Sequence, residues 1–350
     1  MTNVLVTGGA GYFGEVLSLK LLERGHRVRV LDLNRPAFEH AKLEVVQGDI
    51  RDETAVRAAC AGIDVIHHNV AKVPLAKEPA LFRSVNLDGT RILLTAAREA
   101  GAGKLVYTSS SAVFGAPKAM PVTAETVPSP AEAYGRAKYE AEGLCQEAAS
   151  QGLDVSIVRP RTILGYGRLG IFQILFDWVR RGDPVPVFNG GGNRYQFVHA
   201  DDLAEACIAA GFRAGPGTYN VGSARFGTMR DLLASLIAHA GSTSKIVSVP
   251  MAPTSLVMDL VSALGLSPLG PYHALMFGRE MFFDISEAER DLDYRPRFSD
   301  LESLCQSYDH YITHQATADA AGRSHHQTGV KKRLLAAAPL ALRLLAPVTR

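Results

Sequence analysis

Thr7-Gly8-Gly9-Ala10-Gly11-Tyr12-Phe13-Gly14 follows the apolar run Val4-Leu5-Val6. It opens a stretch in which Phe13, Val16, Leu17, Leu19, Leu21 and Leu22 recur at helical spacing up to Gly25. Strand, glycine turn and helix in that order are the context of a dinucleotide fingerprint. Glycines let the chain turn sharply and bring backbone N–H groups against a pyrophosphate at the helix N-terminus. Such a turn alone joins many strands to many helices, so the next strand decides the reading. Arg27-Val28-Arg29-Val30-Leu31 ends in Asp32, near the offset at which an acid meets a ribose 2′-hydroxyl.

Outward from this unit, strands alternate with helical patterns. Leu43-Glu44-Val45-Val46-Gln47 reads as a third strand, followed by Gly48-Asp49-Ile50 and a short helix from Asp52 to Cys60. Asp64-Val65-Ile66-His67 is a fourth strand, ending at His68-Asn69-Val70-Ala71, and a long helix over about 78–100 carries Asn86. Lys104-Leu105-Val106-Tyr107-Thr108 is a fifth strand and delivers Ser109-Ser110-Ser111 at its carboxyl end, where ligands sit in open α/β sheets. A Pro-rich loop, Pro117 to Pro130, leads to a helix over 133–150 and a sixth strand over 154–159. This alternation predicts an α/β fold, a Rossmann-type doubly wound parallel sheet built from βαβ units. After Pro160 the texture changes to helical segments between Gly/Pro loops, with one strand-like return at 217–222. The expected organisation is a nucleotide-binding domain over 1–160 with returns from about 196–222. A smaller, mostly helical C-terminal substrate lobe over 161–316, interleaved with it, closes over the cleft. A polar linker and a basic/apolar tail follow over 317–350.

The composition is that of an ordinary globular chain: 350 residues, 47% hydrophobic and 21% charged. A net charge of +2 gives no global electrostatic case for nucleic acid. Cys60, Cys145, Cys207 and Cys305 are far apart and lack metal spacing, so they read as reduced core thiols. His67 and His68 are adjacent and would face opposite sides of a strand. His199, before Asp201-Asp202, reads as a helix cap rather than part of a ligand set. No metal site is therefore expected. The chain reaches its first strand without a leader and contains no run long and apolar enough to span a bilayer, so a cytoplasmic location is expected.

Tyr134-Gly135-Arg136-Ala137-Lys138 puts a phenol and an ammonium on one helix face. A lone Tyr-x-x-x-Lys carries little information; behind a serine cluster at a strand end in a nucleotide-binding fold it suits hydride transfer. A carbonyl or alcohol oxygen needs a hydrogen-bond donor, Ser110, and a proton exchanger, Tyr134. Free tyrosine titrates near about 10, and a neighbouring Lys138 ammonium is expected to favour the phenolate and lower that value.

The glycine turn, Asp32, Gly48-Asp49-Ile50-Arg51-Asp52, Asn86-Leu87-Asp88-Gly89-Thr90, Ser109-Ser110-Ser111-Ala112-Val113-Phe114-Gly115, Tyr134-x-x-x-Lys138, Arg159-Pro160 and Phe197-Val198-His199-Ala200-Asp201-Asp202 resemble the extended short-chain dehydrogenase/reductase superfamily. The resemblance covers about residues 3–312, in the family's order. It implies a catalytic triad of Ser110, Tyr134 and Lys138, the Val-Phe-Gly end of the motif selecting Ser110 over its neighbours. It implies NAD as cofactor, Asp32 repelling a 2′-phosphate. Gly8, Gly11, Tyr12, Phe13, Gly14, Asp32, Asp49, Ile50, Val70, Ala71, Asn86, Tyr134, Lys138 and Pro160 would then contact NAD, with Asp49 and Ile50 flanking the adenine. It also implies a homodimer through the two long helices.

Three departures narrow the branch. Sugar-nucleotide dehydratases carry an Asp-Glu pair directly after the catalytic hydroxyl, whereas Ser111-Ala112 stand here. Nucleotide-sugar epimerases place an asparagine after the sixth strand, where this chain has Thr162. They also place an arginine just before the Phe-Val-His stretch, where Tyr195-Gln196 stand with Arg194 one place away. What remains resembles the 3β-hydroxysteroid and sterol-carboxylate dehydrogenase branch. The apolar segment over 253–277 leans towards a lipophilic substrate, although a buried helix is the plainer account of it. The Lys331-Lys332-Arg333 tail suggests peripheral membrane contact, against the plainer reading of a frayed terminus. The expected activity is NAD-dependent oxidation of a secondary alcohol on a hydrophobic sterol-like or long-chain small molecule. A nucleotide-sugar 4-epimerase using the same triad is the alternative.

Overall fold

Strand-forming segments in this chain are near-continuous apolar runs, which suits strands covered on both faces. In the computed structural model, which describes residues 1–72, 79–168, 171–251 and 277–314, these runs become the centre of a parallel sheet. The strands are β1 (Asn3–Thr7), β2 (Arg27–Asp32), β3 (Leu43–Gln47), β4 (Val65–His68), β5 (Lys104–Thr108), β6 (Val155–Pro160) and β7 (Gly217–Val221). Their order is β7-β6-β5-β4-β1-β2-β3, and every pairing is parallel. The order reverses at β1 and β4, so the ends of those strands form a topological switch point where ligands bind in open α/β sheets.

The helices of this unit are α1 (Tyr12–Glu23), α2 (Glu53–Cys60), α3 (Pro79–Arg83), α4 (Gly89–Glu99), α5 (Ala133–Ser150), α6 (Ala200–Phe212) and α7 (Ser286–Leu292). One face of the sheet buries Leu5, Ile66, Leu105, Tyr107 and Ile157 against Val56, Leu93, Ala97, Ala141 and Cys145. The helix expected over about 78–100 is not continuous: a single π turn, Ser84–Asp88, separates α3 from α4. Asn86 lies in that turn and is held by a loop beyond β4, which explains why the helical spacing is locally stretched. His199 caps α6 by accepting from the Asp201 N–H at 3.1 Å.

The chain divides into two units. The first comprises Met1–Ile163, Val198–Gly222 and Phe283–Arg297; the second comprises Leu164–Phe197, Ser223–Phe282 and Phe298–Arg350. The described part of the second unit is not purely helical. Strand Val185–Phe188 pairs in parallel with Ile246–Val249, and Arg194–Tyr195 pairs antiparallel with Gly227–Thr228. Helices Phe172–Arg181, Met229–His239 and Asp300–Thr313 complete it, the last opened by a Ser299/Glu302 capping box. An aromatic cluster of Phe172, Phe176, Tyr195, Phe197, Tyr308 and Tyr311 fills its interior. The apolar stretch at 253–276 and the tail at 317–350 lie outside the described residues. Among the described residues no helix is long and apolar enough to cross a membrane.

Candidate active site

The glycine turn is tight because its residues leave no room for side chains. Gly8 sits at φ 72° and donates to the Leu31 carbonyl at 2.8 Å, tying the turn to β2. A Cβ on Gly14 would lie 2.0 Å from the Gly8 carbonyl oxygen, and one on Gly8 would lie 3.0 Å from the Val70 nitrogen. The backbone of the turn therefore approaches both α1 and the segment after β4. Gly11, which has no side chain, precedes α1 without a side-chain cap. Tyr12 and Phe13 are buried at the start of α1. The Asp32 carboxylate accepts from the Ala10 N–H at 3.1 Å and the Asn34 N–H at 2.9 Å, at the end of β2 beside the turn. A helix N-terminus behind a glycine, a glycine cradle that a Cβ would fill and an acid at the neighbouring strand end fit a dinucleotide.

Further along the same edge, two expected contacts are engaged by the protein itself. Arg51 donates to Asp49 through Nε at 3.0 Å and through its terminal nitrogen at 2.5 Å, and this pairing holds the Asp49 carboxyl below its usual range. Ile50 is in the core against α4. The Asn86 carboxamide accepts from the Lys72 N–H at 2.7 Å and donates to the Lys72 carbonyl at 3.1 Å. Asn86 thus braces the Val70-Ala71-Lys72 segment from below. Pro160 is buried at the end of β6, opposite Val221 of β7.

The three serines after β5 are told apart by their surroundings. Ser109 is buried and donates to Glu142 Oε1 at 2.5 Å. Ser111 is buried in a 3₁₀ turn, Ser111–Phe114. Ser110 caps that turn, its Oγ accepting from the Ala112 N–H at 3.2 Å, and it hydrogen-bonds Tyr134. Tyr134 stands in the first turn of α5 with its ring edge-on to Phe82. One turn on, Lys138 is buried; its Nζ donates to the Thr108 carbonyl at 2.8 Å and lies 4.7 Å from the centre of the Tyr107 ring. Ser110, Tyr134 and Lys138 are therefore gathered around the carboxyl end of β5.

The electrostatics differ from the expectation. Burial, the largest influence, pushes the Tyr134 phenol up to about 12, with the Ser110 hydrogen bond opposing it and the nearby Glu132 charge adding to it. Lys138 is not among the influences on Tyr134, and burial draws Lys138 itself down to about 8. The site as it stands favours the protonated phenol, a proton donor.

Several residues that shape the site were not singled out in the sequence. Glu132 caps α5, accepting from the Tyr134 and Gly135 N–H groups at 2.7 and 2.6 Å. A Cβ on Gly135 would lie 2.5 Å from the Ala112 carbonyl oxygen, so this glycine lets α5 close onto the serine turn. Asn69 accepts from the Thr108 hydroxyl at 2.6 Å. His68 lies between Thr7 at 2.7 Å and Thr90 at 2.9 Å; since Thr90 donates to the Asn86 carbonyl, His68 Nε2 carries the proton. His67 points to the other face, towards Gly211 of α6. The sequence signal for Glu132 and Gly135 was their adjacency to Tyr134.

In the second unit, Arg194 directs its guanidinium over the rings of Phe226 and Phe282, at 5.1 and 4.3 Å from their centres.

Comparison with known proteins places these features in context. The model of the NAD dependent epimerase/dehydratase family matches residues 4–222. The uncharacterized protein y4nG of Sinorhizobium fredii is 58% identical, over 98% of this chain and 87% of its own length. A 3 beta-hydroxysteroid dehydrogenase/Delta 5→4-isomerase of Mycobacterium tuberculosis is 30% identical, over 89% of this chain and 90% of its own length. Among solved structures, a UDP-glucose 4-epimerase of Thermotoga maritima, crystallised with UDP-glucose, has the same fold. Its TM-score is 0.76 at 24% identity, covering 89% of this chain and 99% of that one.

Proposed function

We propose, from the premise that the chain belongs to the NAD dependent epimerase/dehydratase family, that it is a dehydrogenase/reductase interconverting a secondary alcohol and a ketone on a hydrophobic, sterol-like or long-chain substrate. The observation that carries the reading is the gathering of Ser110, Tyr134 and Lys138 at one strand end. The lobe formed largely by the second unit is proposed to bind the substrate. NAD, when bound, supplies the acceptor for hydride. Gly8, Gly11, Gly14 and the first turn of α1 would hold its pyrophosphate, Asp32 a ribose, and Val70 and Ala71 the backbone side of the site.

The chain's own residues handle the proton. Ser110 donates its one hydroxyl proton to the substrate oxygen and stands beside Tyr134. Tyr134 exchanges the proton with that oxygen. With the phenol pushed up to about 12, it stays protonated at neutral pH, the form a ketone oxygen needs in its donor, and alcohol oxidation gains as pH rises. Lys138, tied to Thr108, holds the floor of the site and its ammonium.

Two features support a lipophilic over a nucleotide-sugar substrate. One is the extent of the match: at 30% identity the hydroxysteroid dehydrogenase aligns with 89% of this chain, a UDP-glucose 4-epimerase of the same identity with 69%. The other is Arg194, whose guanidinium lies over the rings of Phe226 and Phe282. The test is a panel of sterols, β-hydroxy fatty acids and sugar nucleotides scored by thermal shift with NAD present. Hits are then followed by near-ultraviolet absorbance. Net NADH formation with a lipophilic alcohol supports the dehydrogenase. Tightly retained cofactor with no net change, on a sugar nucleotide, overturns it in favour of the epimerase.

A further inference from the structure

Beneath the serine turn lies a buried ion pair that the proposed reaction does not use. Glu142 of α5 is fully buried, and Arg159 of β6 is nearly so. Arg159 donates to Glu142 twice, through Nε at 2.9 Å and through a terminal nitrogen at 2.6 Å. The same Oε1 that accepts from Arg159 Nε also accepts from Ser109 Oγ at 2.5 Å. On its other side, the Arg159 guanidinium lies 5.1 Å from the centre of the Phe114 ring. Ser109 and Phe114 flank the segment that begins with Ser110. The pair therefore grips both ends of the turn that carries the presumptive hydroxyl, one end by a hydrogen bond and the other by a cation–π contact.

A buried ion pair is a poor source of stability: replacement by apolar side chains of similar volume is often neutral or better. Retaining two desolvated charges here therefore calls for another account. Glu142 lies one helical turn beyond Lys138, and Lys138 one turn beyond Tyr134, so α5 carries all three on the face turned to β5 and β6. The bond from Ser109 Oγ to Glu142 limits how far the residue next to Ser110 can shift, and Ser110 meets Tyr134 in a hydrogen bond.

We propose that the Glu142–Arg159 pair is a positioning clamp: it holds Ser109 and Phe114 so that the Ser110 hydroxyl stays aimed at Tyr134. This rests on the reading of Ser110 and Tyr134 as the groups that meet the substrate oxygen. Glu142 and Arg159 touch neither substrate nor cofactor in it; they act through the turn.

The test uses the full-length protein loaded with NAD and the double variant Glu142→Leu/Arg159→Met. It removes one charge of each sign, so net charge is unchanged; because Glu142 also acts on Lys138, Ser109→Ala, which keeps both charges, separates geometry from charge. Cooperative melting establishes that the variant is folded. Tyr134 is followed by ¹³Cζ-tyrosine NMR, its resonance assigned with Tyr134→Phe, across an alkaline titration. Glu132 and Lys138, the charged groups beside Tyr134 on its own helix, stay in place in both proteins. The expected result is a titration of Tyr134 displaced to higher pH, because the Ser110 bond that favours the phenolate is lost. With a substrate in hand, turnover falls about tenfold or more while KM stays within about twofold. A folded variant whose Tyr134 titration is unmoved overturns the clamp. Should the double variant not fold, Ser109→Ala removes the bond to Glu142 alone. It is expected to move the Tyr134 titration in the same direction, and an unmoved titration again overturns the proposal. The spectroscopic reading needs no substrate. Failure of the dehydrogenase reading would appear as an inactive parent protein with the Tyr134 displacement still present.

Discussion

Lys138 sends its ammonium to the main-chain carbonyl of Thr108, 2.8 Å away, at the last residue of β5. The bond ties the helix that bears Tyr134 to the strand that delivers Ser110. Lys138→Met should leave that carbonyl buried without its donor, at a cost of about 1–3 kcal/mol, and should lower turnover at least a hundredfold. A thermal melt and steady-state kinetics check the two parts.

The same lysine gives a pH signature. Its value is drawn from the usual 10.5 down to about 8, so between these limits the unfolded chain binds the extra proton. Stability contributed by this group accordingly rises with pH across that window, and below about pH 8 its full penalty is present. Comparing melting temperatures of the parent and Lys138→Met from neutral to alkaline pH isolates the difference. A parallel pair of curves contradicts the prediction.

Gly14→Ala should abolish NAD binding, with a loss of at least about a hundredfold by calorimetric titration, since its Cβ would overlap the Gly8 carbonyl. Gly143→Ala is the matched control. It lies in α5 with nothing within 4 Å of a Cβ. It should bind NAD normally and gain up to about 1 kcal/mol of stability from improved helix propensity.

Asn86→Ala removes both bonds to Lys72. The segment Val70-Ala71-Lys72 then loses its brace, and NAD affinity should fall about tenfold, with a loss of about 1–3 kcal/mol in stability. Equal affinity in the variant would show that the brace is dispensable.

His67 and His68 are both buried, and burial holds each down to about 3. Their folded values lie below the ordinary 6.5, so the stability they contribute is complete above 6.5 and is lost as pH falls towards 3. The parent should melt earlier at pH about 5 than at 7, and His67→Phe should shallow that dependence, since the packed ring no longer competes for a proton. Scanning calorimetry at the two pH values decides it.

The parts of the fold that read from sequence are those where local pattern and tertiary demand coincide. Val4-Leu5-Val6 before Gly8, and Lys104 to Thr108 before the serines, are apolar runs whose only sensible place is an inner strand, and each is one. The interruption of the helix at Ser84–Asp88 did not read, because it answers to a partner, Lys72, fourteen residues away from Asn86. The state of Tyr134 did not read either. Spacing reveals that Lys138 shares a helix face with it, but only the folded chain reveals how deeply both are buried, which moves the phenol up and the ammonium down. Asp49 is a similar case: its neighbour Arg51 was visible in the sequence, its two-pronged grip on the carboxylate was not. The small strands of the second unit escaped because pieces of two to four residues carry no period to count.

The first unit is assembled from three separate lengths of chain, and its sheet from two of them. Its outermost strand, Gly217–Val221, and the helix Ala200–Phe212 are synthesised only after the polypeptide has departed to build part of the other unit. Until the ribosome has passed residue 221, β6 is an open edge and the face that α6 covers is bare. A product stopped at 163 would keep six of the strands and still present an adhesive border, so shortened versions should aggregate rather than fold, and nascent chains of this length are natural clients for chaperones.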